Sequence, residues 1–477
     1  IQTIIFEETM SEKYQRVLIA FLVLADIVLV FFNGSTYDSG DSILHYLQSK
    51  QSFEHHRYFL DVWAKPIFVL LSSPFAQFGF VGMKLFNTIC ILLTIHLSYK
   101  IVKPSYPKYA YSMYIIGLFA VHVFLIQSSG LTEPLIALFV AAGIYFVRFN
   151  KIPLALMLLS FTPLIRSEGY IFIGVFALYA IIKGHWKSLY LLTIGSLVYS
   201  IIGYFYHHDL LWLFHQNPYQ GIEKKYGSGD LWHFVNQLPY LVGWPTAVFL
   251  LLGIVKQLTM LVKQRSSLKD TSTLALGCFI ALLAAHSIFW HFGWFHSFGL
   301  KRVLLAATAP MLILAFDGVL WIVSSASRLH IKRSLLGGLL LITVAFPFSK
   351  NKAGFEMPDD FQLHPSQVLV QNATDWYNKE YTRKPKVSFG NFYFAETLGV
   401  DIDDNKECLL VDAVTNNLVP VGMIVFWDNY FCVTDKGVYE TAFSDPESYK
   451  KLKSFENKHA NRIVVYQKLP VQNLGKD

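Results

Sequence analysis

Asp38 and Asp41 stand three residues apart in Tyr37-Asp38-Ser39-Gly40-Asp41-Ser42, just past the first long apolar run of the sequence. A carboxylate at such a water boundary, beneath a covering loop, can act as a general base toward a hydroxyl. The same mix of Asp, Ser and Gly also caps helices, and the following Ile43 to Lys50 reads as a short helix in need of a cap. Both readings stay open for both aspartates. Further on, Arg166-Ser167-Glu168-Gly169 lies between two short apolar runs, either as part of a site or as an ion pair bracketing a helix break. Glu133, in Thr132-Glu133-Pro134, faces a site or simply begins a helix at its favourable end. Lys65, Arg166, Lys301 and Arg302 all fall at ends of apolar runs, where cationic side chains snorkel by default.

The histidines argue against a metal. His55-His56 and His207-His208-Asp209 look like ligand clusters, but adjacent residues point apart on a helix or strand. No metal and no other cofactor is expected, and His55 and His56 are kept only as possible site residues. Tyr219, in the loop 207–238, is another. His286, His291 and His296, spaced by five among Trp290 and Trp294, read as an interfacial aromatic belt.

These residues need a scaffold, and composition says which kind. Of 477 residues 53% are hydrophobic and 15% charged, against roughly a quarter charged in soluble domains. Residues 1–349 hold 25 basic and 15 acidic groups; residues 350–477 hold 15 and 18. A lipid-solvated body of net charge +10 is therefore followed by a water-soluble domain of −3, with the boundary near Ser349. The basic residues form short clusters between apolar runs rather than a stripe, which excludes nucleic acid as a partner and leaves membrane lipid.

Runs long enough to span a bilayer occur at about 17–32, 79–101, 110–127, 131–149, 169–183, 187–206, 239–262, 271–291, 302–323 and 331–348, with a shorter one at 152–165. This gives about eleven spans. The first run has no small-residue cleavage site, so it is expected to remain as a span, and Met10 is a candidate start. With the N-terminus cytoplasmic, the stretches Lys13 to Arg16, Lys100 to Lys108, Arg148 to Lys151, Lys183 to Lys187, Lys263 to Lys269 and Arg328 to Arg333 all lie inside, and each is basic. Loops 33–65 and 207–238 and the tail then lie outside.

The tail reads as a small α/β domain. A helix is expected at Gln367 to Tyr381 and another at Pro446 to His459, capped by Asp445. Strands are expected at Val387 to Phe394, Cys408 to Val411, Met423 to Trp427 and Ile463 to Gln467. Cys408 and Cys432 are a possible disulfide pair if the tail meets an oxidising compartment.

The order of these features resembles a known family. A single first span, an outer loop with an acidic residue in a Gly-Asp context ahead of a short helix, Lys65-Pro66 before the second span and Phe78-Gly79 entering it are similar to GT-C glycosyltransferases. So are Thr132-Glu133-Pro134, Arg166-Ser167-Glu168-Gly169 and Gly299-Leu300-Lys301-Arg302 at their places along the chain. The resemblance is greatest to bacterial members related to protein O-mannosyltransferases and aminoarabinose transferases. One departure is that many members carry two adjacent acidic residues in the first loop, whereas Ser39 and Gly40 separate Asp38 from Asp41 here.

The resemblance implies a mainly α, polytopic GT-C-like fold with a small C-terminal α/β soluble domain. It also implies inverting transfer of a sugar from a polyprenyl-phosphate donor to an acceptor hydroxyl on the non-cytoplasmic face, with the bacterial inner membrane as setting. The acceptor could be a lipid, a glycan or a protein. Asp41, which directly precedes the short helix, matches the family's catalytic acid, with Asp38 the runner-up. Lys65 and Arg302, and with them Arg166 and Lys301, match its donor-phosphate site, and Glu133 and Glu168 are candidates for further site residues. Two other readings stand beside this one. A transporter or flippase of a lipid-linked sugar would need broken or charged helices at the bilayer midplane, and a noncatalytic scaffold would use the tail to hold a partner.

Overall fold

A backbone in lipid must satisfy its own hydrogen bonds, so the apolar runs fold as helices. The computed structural model describes residues 12–218, 226–263, 270–416 and 418–470. Among these, seven helices are long and apolar enough to cross a membrane: Glu12–Phe32, Phe80–Val102, Trp186–His207, Trp244–Val262, Thr271–Phe292, Lys301–Ser325 and Leu329–Phe348. Shorter apolar helices cover Pro66–Ala76, Ile152–Leu164 and Gly169–Ile182, and Glu133–Arg148 adds sixteen residues. The run 110–127 is not one helix. Ser112–Leu118 ends at Phe119, Ala120 is extended, and the chain restarts as Val121–Leu125. All of these except Phe119 and His122 are buried, where protein rather than lipid meets the freed backbone groups.

By contacts the chain forms two units, one of residues 1–33 and 56–360, the other of 34–55 and 361–477. The division thus falls after residue 360 rather than near 349, and the segment carrying Asp38 and Asp41 folds with the tail.

In the first unit, 94% of the apolar stretch of Lys301–Ser325 is buried, against 17% for Glu12–Phe32, so the former is the core helix and the latter faces outward. Lys301–Ser325 packs on Trp244–Val262 through two glycines. A Cβ on Gly318 would lie 2.0 Å from the Phe249 carbonyl oxygen, and one on Gly253 would lie 1.9 Å from that of Leu314. Such small residues let helix backbones touch where no hydrophobic effect drives them together. Several ionisable residues within this unit are partnered: Gln127 Nε2 donates to Asp26 (3.1 Å), Lys256 Nζ pairs with Asp317 (3.0 Å), and Lys84 Nζ donates to the Asn33 carbonyl.

The second unit is built on a five-stranded sheet: β1 (Val387–Phe389), β2 (Cys408–Leu410), β3 (Ile424–Asp428), β4 (Tyr449–Glu456) and β5 (Arg462–Lys468). Its order is β2-β1-β3-β5-β4, with β1 parallel to β2 and β3, and β5 antiparallel to β3 and β4. The helix Pro365–Glu380 stands where helix was expected. The helix Asp41–Gln51 is tied to this unit by Tyr46 and Lys50, each 3.0 Å from the Glu396 carboxylate. Thr36 donates to Gln367 (3.0 Å).

Two local expectations are corrected. Residues 446–459 are not a helix but carry β4, because antiparallel pairing with β5 overrides a lysine-rich segment of weak strand preference. Asp445 turns the chain instead, accepting from the Glu447 amide (3.1 Å), and Lys450, Lys451 and Lys453 suit an edge strand. The expected strand Val387 to Phe394 stops at Phe389, and Tyr393–Leu398 is helical. Cys408 and Cys432 are free buried thiols rather than a disulfide; their sulfurs donate to the Asp401 carbonyl (3.1 Å) and the Asp428 carboxylate (3.2 Å).

Candidate active site

The chain breaks helix between Thr162–Leu164 and Gly169–Ile182, and Gly169 makes that break tight. A Cβ there would lie 2.3 Å from the Thr162 carbonyl carbon. The turn carries Arg166, Ser167 and Glu168. Arg166 Nη2 bonds Glu168 Oε1 at 2.7 Å, and Nη1 reaches Thr132 Oγ1 at 2.9 Å and Glu133 Oε1 at 3.0 Å. Arg302 Nε approaches the same Glu133 oxygen at 3.4 Å, and His286 Nε2 lies 3.6 Å from Glu168. Glu133 sits at the start of its helix with Pro134 in the first turn, where the helix dipole favours a carboxylate. It is wholly buried, yet among the described residues neither of its oxygens accepts an aligned hydrogen bond. Burial raises the Glu168 carboxyl, but Arg166 and then His286 reverse this and hold it below the usual carboxylate range.

Lys65 joins this group from another direction. Asp61 accepts from the amides of Trp63 (2.7 Å) and Ala64 (2.8 Å), and the turn delivers Lys65 just ahead of Pro66 with φ at +69°. A non-glycine residue there is strained, and such strain gathers at ligand sites. Its Nζ donates to Ser167 Oγ at 3.2 Å. Burial pushes the ammonium down to about 8, against the opposing pull of Glu168, with Arg166 adding to the fall and Asp61 opposing it.

Lys65, Glu133, Arg166, Glu168 and Arg302 are thus brought together from four places in the sequence. By formal charge they are three cations and two anions. Lys301 is not among these contacts; its Nζ donates to the Tyr240 carbonyl at 3.4 Å. His56 opens a 3-10 turn and stacks on Phe59, with centroids 6.5 Å apart. Tyr219 lies outside the described residues. His286, read from sequence as part of a belt, is buried beside Glu168. A five-residue histidine spacing carries no sign of that, because only the tertiary path of Thr271–Phe292 creates the contact.

Asp38, Asp41 and His55 belong to the other unit. Asp38 Oδ1 accepts from the Gly40 amide (2.8 Å) and the Ser42 amide (3.3 Å), which gives capping of the helix to Asp38. Asp41 is the first residue of the helix Asp41–Gln51 and is exposed. His55 Nε2 bonds Asp401 at 2.6 Å. Glu54, His55 and Asp401 also bring one ligand atom each to within 4.8 Å of one another.

The sequence matches no protein family and no curated protein. The structure is similar to ArnT from Cupriavidus metallidurans in two crystal forms. The form bound to undecaprenyl phosphate aligns with a TM-score of 0.63 over 95% of this chain and 98% of that one, at 12% identity. The apo form aligns at 0.62 over 94% and 98%, again at 12% identity. A likeness of this extent at so low an identity is a likeness of fold. With seven helices long and apolar enough to cross a membrane among its described residues, the chain is a multi-pass membrane protein whose fold is that of ArnT.

Proposed function

We propose that the chain is an integral-membrane glycosyltransferase that moves a sugar from a polyprenyl-phosphate donor to a hydroxyl, with inversion at the anomeric carbon. One observation carries the reading: three cationic side chains, Lys65, Arg166 and Arg302, converge from separate parts of the sequence in one largely buried group. Cations gathered in a buried place suit an anionic ligand, whose charge lowers the cost of keeping them there. A lipid phosphate is an anion of that kind, and the similarly folded ArnT has been crystallised with undecaprenyl phosphate. As the acceptor oxygen bonds the anomeric carbon from one face, the bond to the phosphate oxygen breaks on the other and its electrons stay on the phosphate. Lys65, Arg166 and Arg302 hold that growing charge. Asp41, which opens the short helix where the family that the sequence resembles has its catalytic acid, takes the acceptor proton. The reaction is placed on the non-cytoplasmic face of a bacterial inner membrane, with residues 350–477 on the same side.

The test is to incubate the purified protein in nanodiscs with a panel of polyprenyl-phosphate sugars and follow free polyprenyl phosphate by mass spectrometry. Asp41→Asn is expected to lower release by about 10²–10⁴-fold while the protein still inserts and melts as wild type. Full release by the variant removes Asp41 as base. Sugar that crosses the bilayer of vesicles without any release replaces the transferase by a transporter.

A further inference from the structure

The second unit contains a cavity of about 260 Å³, close to the small end of ligand pockets, which run from about 300 to 1,000 Å³. Its position follows from the strand order. From β1 the chain passes to β2 on one side, then crosses back to β3 on the other side of β1. The segments leaving the carboxyl ends of β1 and β3 therefore diverge, and in sheets with this parallel arrangement ligands bind in the crevice so opened. The cavity lining comes from that point. Asn391 lies two residues past β1, Asp428 ends β3, Tyr430 and Phe431 follow it, and Arg462 starts β5 beside it. Ser39, two residues before Asp41, closes one edge. Close approach is built in, because a Cβ on Gly390 would lie 2.8 Å from Cys432 Sγ.

The charged lining groups are already matched. Asp428 accepts from the amides of Phe431 (2.6 Å) and Tyr430 (3.0 Å) and from the Cys432 thiol, and Arg462 Nη2 bonds Glu440 at 2.5 Å. No surplus cation is left among them for a phosphate or carboxylate. Asn391 is different. It is 2% exposed, its Oδ1 accepts from the Tyr393 amide (3.0 Å), and its Nδ2 has no partner among the described residues while it lines the cavity. A buried amide donor turned to a cavity calls for an acceptor from the ligand. The exposed Tyr430 ring adds an apolar face with a polar tip.

We propose that this switch-point cavity binds a neutral sugar residue. Resting on the transferase reading, that sugar is part of the acceptor, which makes the acceptor a glycan. Hydroxyl oxygens supply what Asn391 Nδ2 lacks, a pyranose presents an apolar ring face to Tyr430, and the matched charges favour neutral over anionic ligands. The cavity edge at Ser39 belongs to the same loop as Asp41.

Saturation-transfer NMR on the full chain in nanodiscs tests this, with neutral trisaccharides of glucose, mannose and N-acetylglucosamine as probes and glucose 6-phosphate as the anionic comparator. At least one neutral probe is expected to bind in the millimolar range, with glucose 6-phosphate at least fivefold weaker. Asn391→Leu should weaken binding tenfold or more. Because Asn391 also shapes a turn, the exposed Tyr430→Ala is measured in parallel and should weaken binding severalfold without moving the melting temperature. No neutral saccharide binding, or equal binding by wild type and both variants, overturns the cavity site whatever the donor assay gives. Sugar binding that both variants lose, in a protein that releases no polyprenyl phosphate from any donor, keeps the sugar site and removes its role as acceptor site.

Discussion

The Lys256–Asp317 pair and the group around Arg166 both set charge among buried apolar helices, but they are composed differently. The first is one cation and one anion at 3.0 Å, with Lys256 also near the Asp317 carbonyl (3.4 Å). It is complete, as a structural ion pair between neighbouring helices should be. The second has three cations, two carboxylates, a strained Lys65 backbone and a buried Glu133 whose oxygens lack aligned hydrogen bonds. Packing alone gives little reason to keep such a cluster, since well-packed apolar groups would often be at least as stable. The contrast separates charge that holds two helices from charge that, in the proposed transferase, meets the donor phosphate.

Substitutions can break that contrast. Arg166→Ala should have the largest effect, because it strands Glu133 and Glu168 in a buried site. A loss of about 3–5 kcal/mol is expected, read as a fall in melting temperature and in the amount of protein in the membrane, together with loss of polyprenyl-phosphate release. Arg302→Ala removes a cation whose approach to Glu133 is looser, so folding should survive while release falls by about 10²–10³-fold; unchanged release would take Arg302 out of the donor site. Lys65 sharpens the comparison through pH. Its ammonium is depressed to about 8, so the proton is present below that pH and lost above it, and donor binding should decline as pH rises through 8. Lys65→Arg keeps its charge throughout and should remove that decline, which a donor titration at several pH values would show. The smallest effect is expected for the double variant Lys256→Met with Asp317→Leu. Replacing a matched pair by apolar side chains should leave stability equal or slightly higher and release unchanged.

Much of this scaffold was legible because lipid imposes long apolar runs, and the order of acidic loop, Lys-Pro and Arg-Ser-Glu-Gly matches the fold that the structure has. What was not legible arose where tertiary contacts decide. Ala120 breaks a run that reads as continuous and mostly apolar in sequence, since burial in protein tolerates an extended residue there. Residues 449–456 become a strand only because β5 offers a partner. The capping and catalytic readings of Asp38 and Asp41 could not be divided by spacing; hydrogen bonds to Gly40 and Ser42 assign the cap to Asp38. Lys65, Arg166 and Arg302 were found by position at run ends, whereas the part played by Thr132, Ser167 and His286 depends on distances that no spacing encodes.

The allocation of residues 34–55 to the C-terminal unit also has a consequence during synthesis. The helix Asp41–Gln51 leaves the ribosome roughly three hundred residues before Phe361 opens the rest of its unit. At about 5–20 residues per second, it waits some 15–60 s for Glu396 and Gln367 to be made. During that interval the rest of the first unit is made while the buried face of this helix has no partner yet. Expression of residues 361–477 alone would in turn give a sheet without the helix that carries Asp41, so the two segments must be produced in one chain, or mixed as fragments, for the unit to close.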